Sequence, residues 1–140
     1  MGTTNVLVLN GGFQPFTLNE TVDEVFRVVD GPDRGWFCTV NVAILMMMRG
    51  DARLQSFVDR SACTVADGQP IVWLARVFGT PLPERVAGID LIEEICARAA
   101  DQGQSVHLLG ASLAVVTEVA ARLRAKYSHL DVSFQDGYFS

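Results

Sequence analysis

Residues 36–78 read WFCTVNVAILMMMRGDARLQSFVDRSACTVADGQPIVWLARVF, and the order of patterns along them decides the fold class. Trp36 to Val40 is aromatic and β-branched, as in a buried strand, and it carries Thr39 and Asn41 to its C-terminal end. Asn41 can cap the helix that runs through Ile44 to Met48. Ala52 to Val58 reads as a second short helical piece, and Ala62 to Ala66 as the next strand, ending at Asp67-Gly68. Pro70 to Phe78 then begins like a helix with proline in its first turn, where the missing N–H is harmless. Strand, helices, strand and helix at this spacing point to βαβ units and a mostly parallel sheet.

The flanks extend the pattern. Asn5 to Leu9 reads as a short strand, Asn10-Gly11-Gly12 as a turn and Phe13 to Phe16 as a second extended piece, so an N-terminal β-hairpin is expected. Thr17-Leu18-Asn19-Glu20 has the spacing of a capping box. The helix it opens places Leu18, Val22, Val25, Phe26 and Val29 on one face, and Gly31-Pro32-Asp33 ends it. Downstream, Ile89 to Ala100 forms a helix that buries Leu91, Ile92, Ile95, Cys96 and Ala99. Ser105 to Leu109 is a strand, Gly110-Ala111-Ser112 turns into a long helix with Leu113, Val116, Val119, Ala120, Leu123 and Tyr127 inward, and Leu130 to Phe134 is a last strand. The expected architecture is α/β and Rossmann-like, a mostly parallel sheet flanked by helices. At 140 residues the chain fits one domain. In such sheets ligands sit beyond the C-terminal strand ends. Thr39/Asn41, Asp67/Gly68 and Gly110/Ser112 occupy three of those ends.

Composition removes several function classes. The formal charge is −5 and only 11 residues are Lys or Arg, scattered rather than clustered, so no nucleic-acid partner is expected. The longest uninterrupted apolar run, Val42 to Met48, is far short of the roughly 20 residues that span a bilayer. Cys38, Cys63 and Cys96 form no CxxC pair and lie in apolar stretches, as small core residues in a reducing compartment do. His107 and His129 have no carboxylate or cysteine at ligand spacing, and there is no DxD-type pair, so neither metal nor cofactor is expected. Hydrophobic residues make up 49% of the chain, a richness that suits strands covered on both faces and self-association into a homo-oligomer.

Four motifs in order carry a resemblance: Thr39-Val40-Asn41; Ala66-Asp67-Gly68-Gln69-Pro70; Pro83-Glu84-Arg85-Val86-Ala87-Gly88; and Leu108-Leu109-Gly110. With Gly137-Tyr138-Phe139 after them, the chain resembles the WecG/TagA/CpsF glycosyltransferases over nearly its whole length. The resemblance implies an inverting enzyme of cell-surface polysaccharide synthesis. Its donor is a UDP-sugar carrying an N-acetylmannosamine-like or related hexose, and its acceptor is a polyprenyl-diphosphate-linked sugar. It also implies a cytoplasmic protein peripheral to the inner membrane. Family members usually continue past the Gly-Tyr-Phe element into a donor-holding segment, and this sequence ends first. Weak binding of UDP-sugar by this chain alone, or none, is therefore expected, and a noncatalytic remnant or subunit is the rival reading.

Each candidate residue has a chemical and a purely structural reading. Asp67 caps the helix after it, or takes the proton of an attacking sugar hydroxyl as general base. Thr39 and Asn41 are a strand residue and a cap, or hydrogen-bond partners of the acceptor. Arg85 is a solvated arginine, or a phosphate ligand whose planar fork suits a diphosphate. Gly110 serves strand-to-helix packing, or lets backbone approach the donor.

Overall fold

A computed structural model describes residues 4–138, so Phe139 of the Gly-Tyr-Phe element lies outside the described residues. The fold is mixed α/β, with six helices and six short strands among those residues. Contacts gather into two compact units, the first ending at Leu91 and the second beginning at Ile92.

The first unit opens with β1 (Val6–Val8) and β2 (Gly11–Phe13), an antiparallel hairpin in which Val8 faces Gly11. The expected hairpin is present, but its turn is Leu9-Asn10 rather than the glycine pair. Leu9 takes the positive φ of 54° that a glycine would adopt more readily. Gly11 is needed inside the strand instead, because a Cβ there would stand 2.8 Å from Leu45 Cδ1 and 2.9 Å from the Phe13 ring. Helix α1 (Leu18–Asp30) starts at the expected capping box, with the Glu20 amide donating to Thr17 Oγ1 and the Thr17 amide to Glu20 Oε2. Its buried face is Thr21, Val22 and Phe26, whereas Val29 is exposed.

Strands β3 (Phe37–Val40) and β4 (Cys63–Ala66) pair in parallel, Thr39 opposite Val65 and Val40 opposite Ala66. Between them run α2 (Val42–Gly50), capped by Asn41, and α3 (Ala52–Asp59), capped by Asp51. All four β4 residues are buried because the strand is covered on both faces. Ala66 joins a core of hairpin and helix side chains that includes Val8, Phe13, Leu45 and Ile71, while Cys63 and Val65 pack with Val86, Phe16 and Leu18. The main-chain amide of Gln14 donates to Thr64 O at 2.8 Å and ties the hairpin to β4. Helix α4 (Gln69–Val77) follows, with proline in its first turn as expected.

Helix α5 (Gly88–Gln102) contains the boundary between the units. The second unit pairs β5 (Ser105–Leu109) with β6 (Asp131–Gln135) in parallel, and α6 (Leu113–Lys126) joins them as a crossover helix. Val116, Ala120 and Leu123 form the buried face of α6, and Cys96 and Ala99 are buried on α5. Ile92, Leu113 and Val119, expected inward, are exposed. Two of the three ladders are parallel, in keeping with the Rossmann-like expectation.

Candidate active site

The parallel register of β3 and β4 sets Thr39 and Asp67 near each other, since Thr39 is the penultimate residue of its strand and Asp67 follows the last residue of the other. The Asp67 amide continues the ladder by donating to Val40 O at 2.9 Å, which fixes where its side chain leaves the sheet.

Asp67 does not cap α4. The N-cap is Gly68, which makes no side-chain cap hydrogen bond. The carboxylate serves another helix: Asp67 Oδ2 accepts from the Gly88 amide at 3.1 Å, and Gly88 is the first residue of α5. The amino end of a helix is a favourable place for a carboxylate, because its free N–H groups point outward. Oδ1 accepts no hydrogen bond from the described residues, and Asp67 is half-buried. One oxygen is thus held while the other is available.

Thr39 closes on the same spot. A Cβ at position 88 would lie 3.1 Å from Thr39 Oγ1 and 3.6 Å from Asp67 Oδ2, so glycine there lets the helix start approach both side chains. Asn41 is at the end of β3, where its Oδ1 accepts from the Ile44 amide at 2.9 Å and caps α2. Its Nδ2 makes no hydrogen bond with the described residues and can donate outward. A Cβ at Gly68 would lie 3.8 Å from Asn41 Cα, so the two strand ends are neighbours.

Arg85 is exposed and forms no ion pair among the described residues. The residues beside it are held in place. Glu84 Oε1 accepts from the Leu18 amide at 2.7 Å, and the amide of the buried Val86 donates to Ala66 O at 2.8 Å.

Gly110 belongs to the second unit. Its φ of 139° is a conformation that side-chain-bearing residues rarely adopt. Its amide donates to Gln135 O at 3.2 Å, so its own N–H is not open to an anion. Space beside it is open on the side where a Cβ would stand. Gly137 packs against it, since a Cβ at 137 would lie 3.1 Å from Gly110 Cα, and the Gly137 amide donates to Ala111 O at 3.0 Å. His107 Nδ1 sits 2.8 Å from Ser133 Oγ in an exposed pair across the β5–β6 ladder.

Sequence reasoning singled out Asp67, Thr39 and Asn41, which lie at neighbouring strand ends, but not the contacts that Gly88 and Glu84 make. The available signal was a glycine at a helix start, a poor helix former whose use there points to a close approach. A family model described as "Glycosyl transferase WecG/TagA/CpsF family" matches residues 6–140.

Proposed function

From the premise that this chain belongs to the WecG/TagA/CpsF family of glycosyltransferases, we propose that it moves an N-acetylmannosamine-like or related hexose from a UDP-sugar to a polyprenyl-diphosphate-linked sugar, with inversion, during cell-surface polysaccharide assembly. Asp67 is the general base. The observation that carries this reading is a half-buried carboxylate near the Thr39 hydroxyl, with one oxygen pinned by the Gly88 amide and the other without a hydrogen-bond partner among the described residues.

In the proposed step the acceptor hydroxyl oxygen attacks the anomeric carbon from the face opposite UDP. The new C–O bond forms as the bond to the diphosphate oxygen breaks, its electron pair leaves with UDP, and the hydroxyl proton passes to Asp67. Thr39 and the free Nδ2 of Asn41 hold the acceptor sugar by hydrogen bonds. Arg85, which forms no ion pair among the described residues and is set between two anchored residues, binds a phosphate.

The site of action is the cytoplasmic face of the inner membrane, where such an acceptor resides. No helix among the described residues is long and apolar enough to cross a membrane, which suits peripheral contact. Exposed Met47, Trp73 and Val77 suit that contact or self-association.

The test is a transfer assay with a panel of UDP-hexoses and UDP-N-acetylhexosamines against polyprenyl-diphosphate-linked sugars, with the product anomer assigned by NMR. Inverted product is expected. A product that keeps the donor's anomeric configuration overturns the single displacement.

A further inference from the structure

The segment Pro83–Gly88 is tied to three separate elements. Glu84 reaches the start of α1, Val86 the last residue of β4, and Gly88 the Asp67 carboxylate. The first tie is informative because of what the capping box leaves undone. Thr17 and Glu20 satisfy each other's amides, but the amide of Leu18, the first residue of α1, has no partner within its own helix. Glu84 supplies that partner from 66 positions away, at 2.7 Å. A carboxylate accepting from a helix amino end makes a short, charge-assisted hydrogen bond.

Glu84 is exposed, so its burial contributes little, whereas Val86, two residues on, is 1% exposed and packs with Cys63 and Val65. Two more residues lead to the Gly88 amide. The segment is therefore clamped at Glu84 and Val86 just before it delivers its N–H to Asp67. We propose that Glu84 is a positioning residue: by holding this segment against α1 it sets the Gly88 amide on Asp67 Oδ2 and so orients the carboxylate toward the reacting hydroxyl. This rests on the reading of Asp67 as general base.

The experiment measures Gly88 amide hydrogen exchange by ¹⁵N NMR on the full chain, alongside transfer kinetics and thermal unfolding. Glu84→Ala is expected to speed Gly88 exchange by about tenfold. It should also lower kcat by about tenfold with the donor KM unchanged. Glu84→Gln, whose amide oxygen still accepts from the Leu18 N–H, restores both. Leu18→Pro removes that N–H at the first helical position, where proline is tolerated, and is read against Leu18→Ala, which loses the same packing on Cys63 and Val65 but keeps the N–H. The proline variant should reproduce the Glu84→Ala exchange, and the double variant should add nothing to it. Where Glu84→Ala does not fold, Leu18→Pro carries the comparison. Gly88 exchange at the wild-type rate in either variant overturns the proposal, as does a variant that melts earlier yet keeps wild-type kcat. Failure of the base reading looks different: Asp67→Asn would turn over normally, while the exchange results, which need no activity, stay as stated.

Discussion

Asp67→Asn keeps an oxygen that can accept from the Gly88 amide, 3.1 Å away in the wild type, but removes the group that can take a proton. Unfolding free energy should change by no more than about 1 kcal/mol, since asparagine serves a helix amino end about as well as aspartate. Turnover should drop by roughly 10²- to 10⁴-fold, as expected for a lost general base. Kinetics and melting run side by side decide it, and a variant that turns over at the wild-type rate removes Asp67 from the chemistry. Gly88→Ala probes the same spot from the other side. Its new Cβ, 3.1 Å from Thr39 Oγ1, must displace the hydroxyl by a few tenths of an ångström, while alanine favours the α5 helix. The expected outcome is about a tenfold loss in kcat/KM for the acceptor without loss of stability. The candidacy of Asp67 was legible in its sequence setting. Its partner was not, because local spacing pointed to a cap on α4 and the carboxylate instead meets a helix that begins 21 residues later. The cysteines behave as their apolar neighbourhoods implied: burial pushes the Cys63 thiol up to about 12 and raises Cys38 and Cys96 as well. The thiolate is the reactive form, so iodoacetamide at pH 8 should leave Cys63 unlabelled in the folded protein and label it in denaturant, as read by mass spectrometry.

Helix starts were the most readable elements, because a cap is a bargain struck within four residues. Thr17→Ala removes the side chain that receives the Glu20 amide at 3.2 Å and should cost about 1 kcal/mol of stability in a denaturant titration. The hairpin was readable as an element but not in its turn, since the demand for glycine at position 11 comes from Leu45 of a helix far along the chain. In the second unit, hydrogen bonds from Lys126 and Tyr127 to Glu93 hold its carboxyl below the ordinary carboxylate range. A carboxyl depressed on folding adds stability above its unfolded value, near 4.5, and loses it as pH falls through the folded value. The melting difference between wild type and Glu93→Gln should therefore be steady from neutral pH down to about 5 and shrink below that. It should be small throughout, because Lys126 is exposed and Glu93 only half-buried, so water screens the pair. A difference that grows on acidification would contradict the assignment.

For the whole molecule, transfer is expected to persist in EDTA, the expectation that follows from a sequence with no DxD-type pair. Activity abolished by the chelator and restored by magnesium or manganese would show that a divalent ion takes part. The order of strands and helices, the caps at Thr17 and Asn41 and the polar residues at the ends of β3 and β4 were determined by the sequence itself, whereas the cap expected at Asp67 does not form. Periodicity and caps act over a few residues, and a parallel crossover leaves few ways to connect what they form. Tertiary structure alone decided which apolar residues stay outside, such as Val29, Ile92 and Leu113. It also decided which amide meets Asp67 and which carboxylate completes the start of α1. Those contacts join positions 21 and 66 residues apart. They exist only because β3 and β4 align in register and Val86 is buried beside them, a condition set by packing among distant segments rather than by the preference of any one.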